Sequence, residues 1–391
     1  MADLIWRNAT LYARKESTEG TALAPDGTYA ILARDLAPNL QRDFHERKYP
    51  GSYGKRAGVI GAQTAPGLGF VTELKGNGSN NTPEIDELLE NAFGAVSAGG
   101  ASTTTTSGST TTTINVTSST GFTVGNMVNI QLTSGGVFEM AMITAVPNGT
   151  SLTVSPALTA APDASTTVDE ARTYQLVIPP SGVNSLTMDV FYNSDSGASQ
   201  YDRFVGCHCS SLKMSSPRAG SIPMWAWEFL AWNWTQAVNG TRYASTAYDT
   251  TSPKPGLASK FKIAGTLTDI HDLELDLGLV CSPKFSQNST LGIYGTPIVD
   301  ANPTVSFKLH PAHTSVAQFT GWTAETAVSL IQQFGNSRFN TWAWYAPSAT
   351  RTSVGRGDDA GVHTNEIVFD CNVQDDASAA AVDGALYLAV A

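Results

Sequence analysis

Apolar and polar side chains alternate with a period of two through most of this chain, and turn residues interrupt the alternation at short intervals. The clearest run is Asp272-Leu273-Glu274-Leu275-Asp276-Leu277-Gly278-Leu279, which sends its leucines to one face of a strand and its acids to the other. Leu186–Tyr192, Phe204–Met214, Ser221–Trp234, Lys260–Ala264, Thr304–Leu309, Phe339–Tyr345, Glu366–Val373 and Leu386–Val390 read as further short strands. Their spacing suits a sandwich or barrel. A helical period appears twice. Ile85, Leu88, Leu89 and Ala92 share one face of a predicted helix over Pro83–Phe93, with Thr82 as its cap, Glu84, Asp86 and Glu87 at its positive end and Gly94 as its stop. A second helix is predicted over Ala324–Phe334, with Val328, Ile331 and Phe334 along one side. The fold class is therefore mainly β: a β-sandwich or barrel with one or two short packing helices.

Residues 101–171 have a different texture. The run from Ser102 to Thr113 is almost entirely Ser and Thr and reads as a linker or a frayed strand edge. Behind it, Gly135-Gly136 and Asn148-Gly149 are hairpin turns separating strands at Met127–Leu132, Val137–Val146 and Leu152–Val154. Pro156, Pro162 and Asp163 close the unit. The predicted division is a main body of residues 1–100 and 172–391 and an inserted small β domain at 101–171, projecting on polar flanks.

A long polar arm, at about residues 15–60, lacks hydrophobic periodicity and cannot build a core of its own. It carries Arg34, Arg42, Arg47, Lys48 and Lys55 in a chain otherwise poor in positive charge, and these are candidate inter-subunit contacts. The formal charge of the 391 residues is -11, and no Lys or Arg lies between Lys75 and Arg172. Tight binding to a phosphate backbone needs clustered basic residues, so specific nucleic-acid binding is not expected. Four cysteines are too few for a disulfide scaffold of this size, and no apolar stretch is long enough for a membrane helix. Met1-Ala2-Asp3-Leu4-Ile5-Trp6-Arg7 does not read as a secretory signal, so a soluble protein made in a cytoplasm is expected.

The order of these features resembles the N-terminal region of tail tube proteins of long-tailed bacteriophages. The resemblance covers Glu16–Gly94: Gly20-Thr21, the arm, Gly51-Ser52-Tyr53-Gly54, Glu73-Leu74-Lys75-Gly76-Asn77-Gly78, Pro83, Leu88-Leu89 and Phe93-Gly94. It extends more weakly over Tyr201–Trp234, through Phe204-Val205-Gly206-Cys207 and Ser211-Leu212-Lys213-Met214. Val124–Ile130 followed by Ile143–Val146 resembles small β modules inserted in phage structural proteins. The resemblance implies a β-sandwich subunit of a virion tail. Such subunits form homohexameric rings stacked into a tube that conducts DNA during ejection, with terminator, tape-measure and baseplate proteins as partners. On that reading Asp272, Glu274 and Asp276 face the lumen and the arm bridges subunits. The alternatives are another virion ring protein, such as a tail terminator or baseplate hub, and a carbohydrate-binding β-sandwich.

Other chemistry is sparse. Trp225, Trp227 and Phe229 share one strand parity and Trp232 and Trp234 the other, a pattern of packing rather than of a flat sugar-binding face. In a strand, Cys207 and Cys209 project oppositely to His208, so the three do not converge on a metal. His310-Pro311-Ala312-His313 and Arg356-Gly357-Asp358 read as turns. No nucleophile elbow, zinc-protease helix or phosphate loop is present, and the expectation is a non-enzyme without cofactor or metal.

Overall fold

The computed structural model describes residues 4–40, 42–47, 56–63, 65–178, 183–194, 199–216, 218, 220–238, 243, 248–257, 259–310, 317–359, 361–373 and 384–391. The chain is 54% strand and 5% helix, a mainly β fold. One continuously hydrogen-bonded 18-stranded sheet folds over on itself, and a separate 6-stranded sheet packs against it.

Strand pairing divides the large sheet into three regions. The front sheet runs, all antiparallel, through Ala33–Asn39, Gly67–Glu73, Met224–Leu230, the second half of Ser199–Ser216, Asp272–Asp276, Thr304–Leu309, Val362–Asn372 and the second half of Trp342–Asp359. The middle sheet runs through Gly94–Ser97, Arg172–Leu176, Tyr387–Val390, the first half of Trp342–Asp359, Val328–Phe334 and Lys260–Ile263. Leu4–Lys15, Leu186–Ser194, the first half of Ser199–Ser216 and Asn233–Val238 form the third region. The strand Ser199–Ser216 thus belongs to two regions, and it bends between them. At the bend Gly206 adopts φ +66, and a side chain there would meet Trp232 Cβ at 2.8 Å. The indole of Trp232 also lies where a Gly20 side chain would project, 1.8 Å from its ideal Cβ, so both sites need glycine.

The main core lies between the front and middle sheets. Trp225, Trp227 and Phe229 all point inward, and Phe70 stacks on Phe229 at 5.7 Å and on Trp227 at 6.2 Å. Burying such a ring contributes roughly 2–3 kcal/mol over leaving it wet. Trp342 and Trp344 meet the same core from the middle sheet, with Phe261, Leu388 and Val390.

Helix α1, Asp86–Phe93, closes one end of this core with Leu88, Leu89, Ala92 and Phe93. It ends as predicted at Gly94, φ 88, whose N–H bonds to Glu90 O. Its start differs. Ile85 is the N-cap and no side chain caps it; Thr82 lies outside, where Pro83 O accepts from Asp86 N in a preceding turn. Asp86 instead anchors the first turn, accepting from Arg172 Nε (2.5 Å), Arg172 Nη2 (2.8 Å) and Tyr174 Oη (2.5 Å). Asn91, fully buried, accepts from Cys209 N at 2.7 Å and donates to Asn184 O and Cys207 O. The helix therefore holds the bent strand at a register shift between Cys209 and Ser211.

The second predicted helix is a correction. Val328–Phe334 is a strand of the middle sheet, and the helix α2 of this region is Ala317–Thr323. The strand is buried on both faces, Leu330 toward the main core and Ile331 toward the module. A strand with two dry faces loses its alternation, and apolar residues at every third position then mimic a helix.

Residues 102–170 make the 6-stranded sheet with a core of their own, built from Ile114, Val128, Ile130, Ile143, Leu152 and Val168. Of the two readings of the Thr-rich run, strand edge holds and linker does not: its two ends form the edge strands of this sheet. Ser102–Thr104 pairs with Thr167–Glu170, Thr113–Asn115 pairs with Ser151–Ser155, and buried Thr105 exchanges backbone and hydroxyl bonds with Thr166. Nor does the module project freely. Met127, Met140 and Met142 pack on Ile331, Ala343, Tyr345, Tyr387 and Ala389 of the middle sheet. Around them Glu139 accepts from Lys260 (2.7 Å) and Lys262 (2.5 Å), and Asp169 pairs with Arg338 at 2.7 Å.

Candidate assembly surfaces

The far face of the front sheet is polar because its inner face is apolar: each strand alternates, so whatever does not fill the core points outward. Along Asp272–Asp276 the leucines at 273 and 275 are buried and Glu274 is exposed, with Asp272 and Asp276 half-buried. Pairing carries the pattern across the neighbours. Ser215, Glu274, Ser306 and Val368 lie in one cross-strand row, and Asp272, Lys308 and Glu366 in another. A groove of about 310 Å³ runs between them.

The acids are not bare. Lys308 Nζ sits 3.3 Å from Asp272 and 3.5 Å from Glu366, and Lys213 Nζ lies 2.8 Å from Asp276. Hydrogen bonding to Asp276 and its charge raise the Lys213 pKa, with Glu274 and Glu228 adding to the field. The charge of Asp272 does the same for Lys308. Even so, Glu73, Glu228, Asp272, Glu274, Asp276, Glu366 and Asp370 on this face outnumber Arg34, Lys213 and Lys308. The surface is net acidic, crossed by a stripe of exposed pairs that solvent and salt screen.

The two border strands of the front sheet share a property. Ala33–Asn39 pairs only with Gly67–Glu73, and residues 350–359 pair only with Val362–Asn372, among the described residues. The first border carries a register shift between Arg34 and Ala37, Asp35 at φ 54, and Pro38. Bulges and proline restrict what can add to an edge. The Arg356-Gly357-Asp358 tripeptide, expected in a turn, is extended strand on the second border.

The arm proves to be several things. Ala30–Ile31 pairs with the first strand and Ala33–Asn39 with the front sheet, so this part lies on the body of its own chain. Arg34 belongs to the acidic face, 2.8 Å from Glu73. Arg42–Arg47 and Arg56–Gln63 form a two-stranded hairpin with no pairing to any other strand among the described residues. Arg42 and Arg47 lie on this hairpin, whereas Lys48 and Lys55 fall outside the described residues.

Of the other candidates, Cys207 and Cys209 line the main core and His208 does not. Burial raises the pKa of both thiols and pushes the His208 imidazole down to about 4. Trp225 and Trp227, at 0% and 1% exposure, offer no outer face to a sugar. Sequence reading missed the lysines that cross-link the acidic strands, since only strand pairing brings Lys213 and Lys308 beside Asp276 and Asp272. It also missed Glu16. This buried carboxylate accepts from Gly20 N (2.7 Å), Ser185 Oγ (2.6 Å), Thr187 Oγ1 (2.8 Å) and Gly206 N (2.8 Å), fastening the start of the arm to the bent strand.

The chain matches no protein-family model and none of the curated proteins it was compared with. Among the described residues no helix is long and apolar enough to cross a membrane.

Proposed function

We propose that this chain is the structural subunit of a bacteriophage tail tube, assembling into stacked homohexameric rings around a channel for DNA. The observation that carries the reading is the front sheet: one face is core, the other is net acidic, and each border strand hydrogen-bonds to another strand on one side only among the described residues, helix α2 lying against the second border. Head-to-tail joining of unlike borders, Ala33–Asn39 of one copy beside residues 350–359 of the next, continues the sheet around a ring and removes its edges. The continued acidic face then lines the bore. Carboxylates repel a duplex over about one Debye length, ~8 Å at physiological salt, while the paired lysines keep the field moderate. The strands Arg42–Arg47 and Arg56–Gln63, which pair with each other and with no other strand among the described residues, supply a stacking contact to the next ring.

Negative-stain imaging of the purified chain tests this. Rings or hollow rods that lengthen with concentration are expected. Single rings that never stack would instead favour a terminator or hub, and a monomer at high concentration would remove the proposal.

A further inference from the structure

Three donor side chains converge at one end of the front sheet. His271 immediately precedes the strand Asp272–Asp276, and its backbone N–H bonds to Lys308 O at 2.7 Å. His310 immediately follows the neighbouring strand Thr304–Leu309. Asp359 ends the strand Trp342–Asp359 at the tip of a hairpin with Val362–Asn372, where it pairs with Val362. His271 Nε2 lies 3.0 Å from Asp359 Oδ2, the two imidazoles stand edge-on at 5.7 Å and 82°, and one donor atom from each residue falls within 4.8 Å of the others.

We propose that His271, His310 and Asp359 bind a divalent transition-metal ion of the zinc class. Two imidazoles and one carboxylate are a donor set such ions take readily. Bonds of about 2.0–2.1 Å at tetrahedral angles put donors about 3.3 Å apart; His271 and Asp359 already stand at 3.0 Å, and a movement of His310 within the 4.8 Å span of the three donors completes the set. His310 is exposed, so a fourth position faces solvent. The site also answers a mechanical need of this corner. Pairing between the strand Thr304–Leu309 and the hairpin stops at Leu309 opposite Asn365. Beyond that point, among the described residues, the hairpin strands pair only with each other, from Gly357 opposite Thr364 to Asp359 opposite Val362. An ion held by His271, His310 and Asp359 clips the hairpin tip to the ends of two strands of the front sheet. Asp269, Asp272 and Asp358 flank the donors in sequence, with Lys308 offsetting Asp272.

The test uses the full chain stripped with EDTA and titrated calorimetrically with ZnCl₂, with Co²⁺ as a spectroscopic probe of the donor set. One ion per chain is expected, with visible Co²⁺ bands of nitrogen–oxygen coordination. Asp359→Asn preserves shape and His310→Gln alters an exposed position, so both should fold normally by circular dichroism. Each should weaken Zn²⁺ by about 100-fold or more, since even outer-shell changes cost 10–100-fold. No uptake by the wild-type chain, or equal uptake by the folded variants, would overturn the proposal; the second result would assign the ion to other histidines.

Discussion

The front and middle sheets are both antiparallel, yet one has a wet face and the centre of the other is covered on both sides. In the front sheet, Asp272–Asp276 keeps strict alternation because one side meets the core and the other meets water. In the middle sheet, Tyr387–Val390 is buried at every position: Leu388 and Val390 enter the main core while Tyr387 and Ala389 meet the methionines of the module. The difference teaches where substitutions are tolerated. A charge at the outer positions of the front sheet sits where charge already belongs, whereas a charge anywhere in Tyr387–Val390 is stranded.

The sharpest way to break this comparison is Ala389→Asp. Ala389 is fully buried between the sheet and the module, so an unpaired carboxylate there costs several kcal/mol, comparable to the whole stability of many domains. Loss of cooperative unfolding in a thermal melt is expected; a normal melt would show that the contact between module and body opens freely. Trp344→Ala, also in the middle sheet, should cost about 3–5 kcal/mol in urea denaturation, because the cavity is enclosed on every side. Next comes Glu139→Gln. It leaves Lys260 and buried Lys262 without their carboxylate at the module contact and should cost about 3 kcal/mol, with little change when salt is raised.

A smaller effect depends on pH. Burial raises the Glu87 carboxyl from 4.5 to about 7, against a hydrogen bond from Lys15 N that favours the ionised form, with Asp86 and Glu90 adding repulsion. The folded protein therefore holds a proton that the unfolded chain has lost between about pH 4.5 and 7. Stability from this group falls as pH rises through that window and stays low above it. Glu87→Gln should flatten the dependence and raise stability at about pH 8, above the folded pKa. An unchanged pH profile in denaturant melts would contradict the assignment. The smallest effect belongs to the acidic face. Replacing Asp272, Glu274 and Asp276 together by Asn, Gln and Asn should change stability only slightly, because the pairs lost are exposed and screened, while altering any assembly built on that face. A large loss would mean the front sheet is not wet on its outer side.

Legibility in the sequence obeys the same division. Asp272–Leu279 declared its buried and open faces because one face is wet, and α1 declared its end because Gly94 is needed there. Val328–Phe334 did not, because two dry faces erase alternation. Composition left the Thr-rich run open between linker and strand edge: what decides for the edge is bonding across strands, as between Thr105 and Thr166, and that depends on partners some 61 positions away. The lysines beside Asp272 and Asp276 and the trio His271, His310 and Asp359 are likewise products of pairing between distant segments, invisible to any local period.

The position of Tyr387–Val390 has a consequence for synthesis. This strand lies between Arg172–Leu176 and the first half of Trp342–Asp359, so the middle sheet is incomplete until the ribosome has passed residue 390. By then the module, with its local pairings, has had roughly two hundred residues of elongation in which to fold, leaving Met127, Met140 and Met142 waiting in water for their cover. At about 5–20 residues per second that wait lasts on the order of ten seconds or more. During it the nascent chain offers a sticky, methionine-lined face beside unfinished strand edges, which is where a chaperone would be needed and where crowded copies would mispair. Tyr387–Val390 is therefore a timer as well as a wall: the chain cannot hide its module-facing methionines before this strand has left the ribosome.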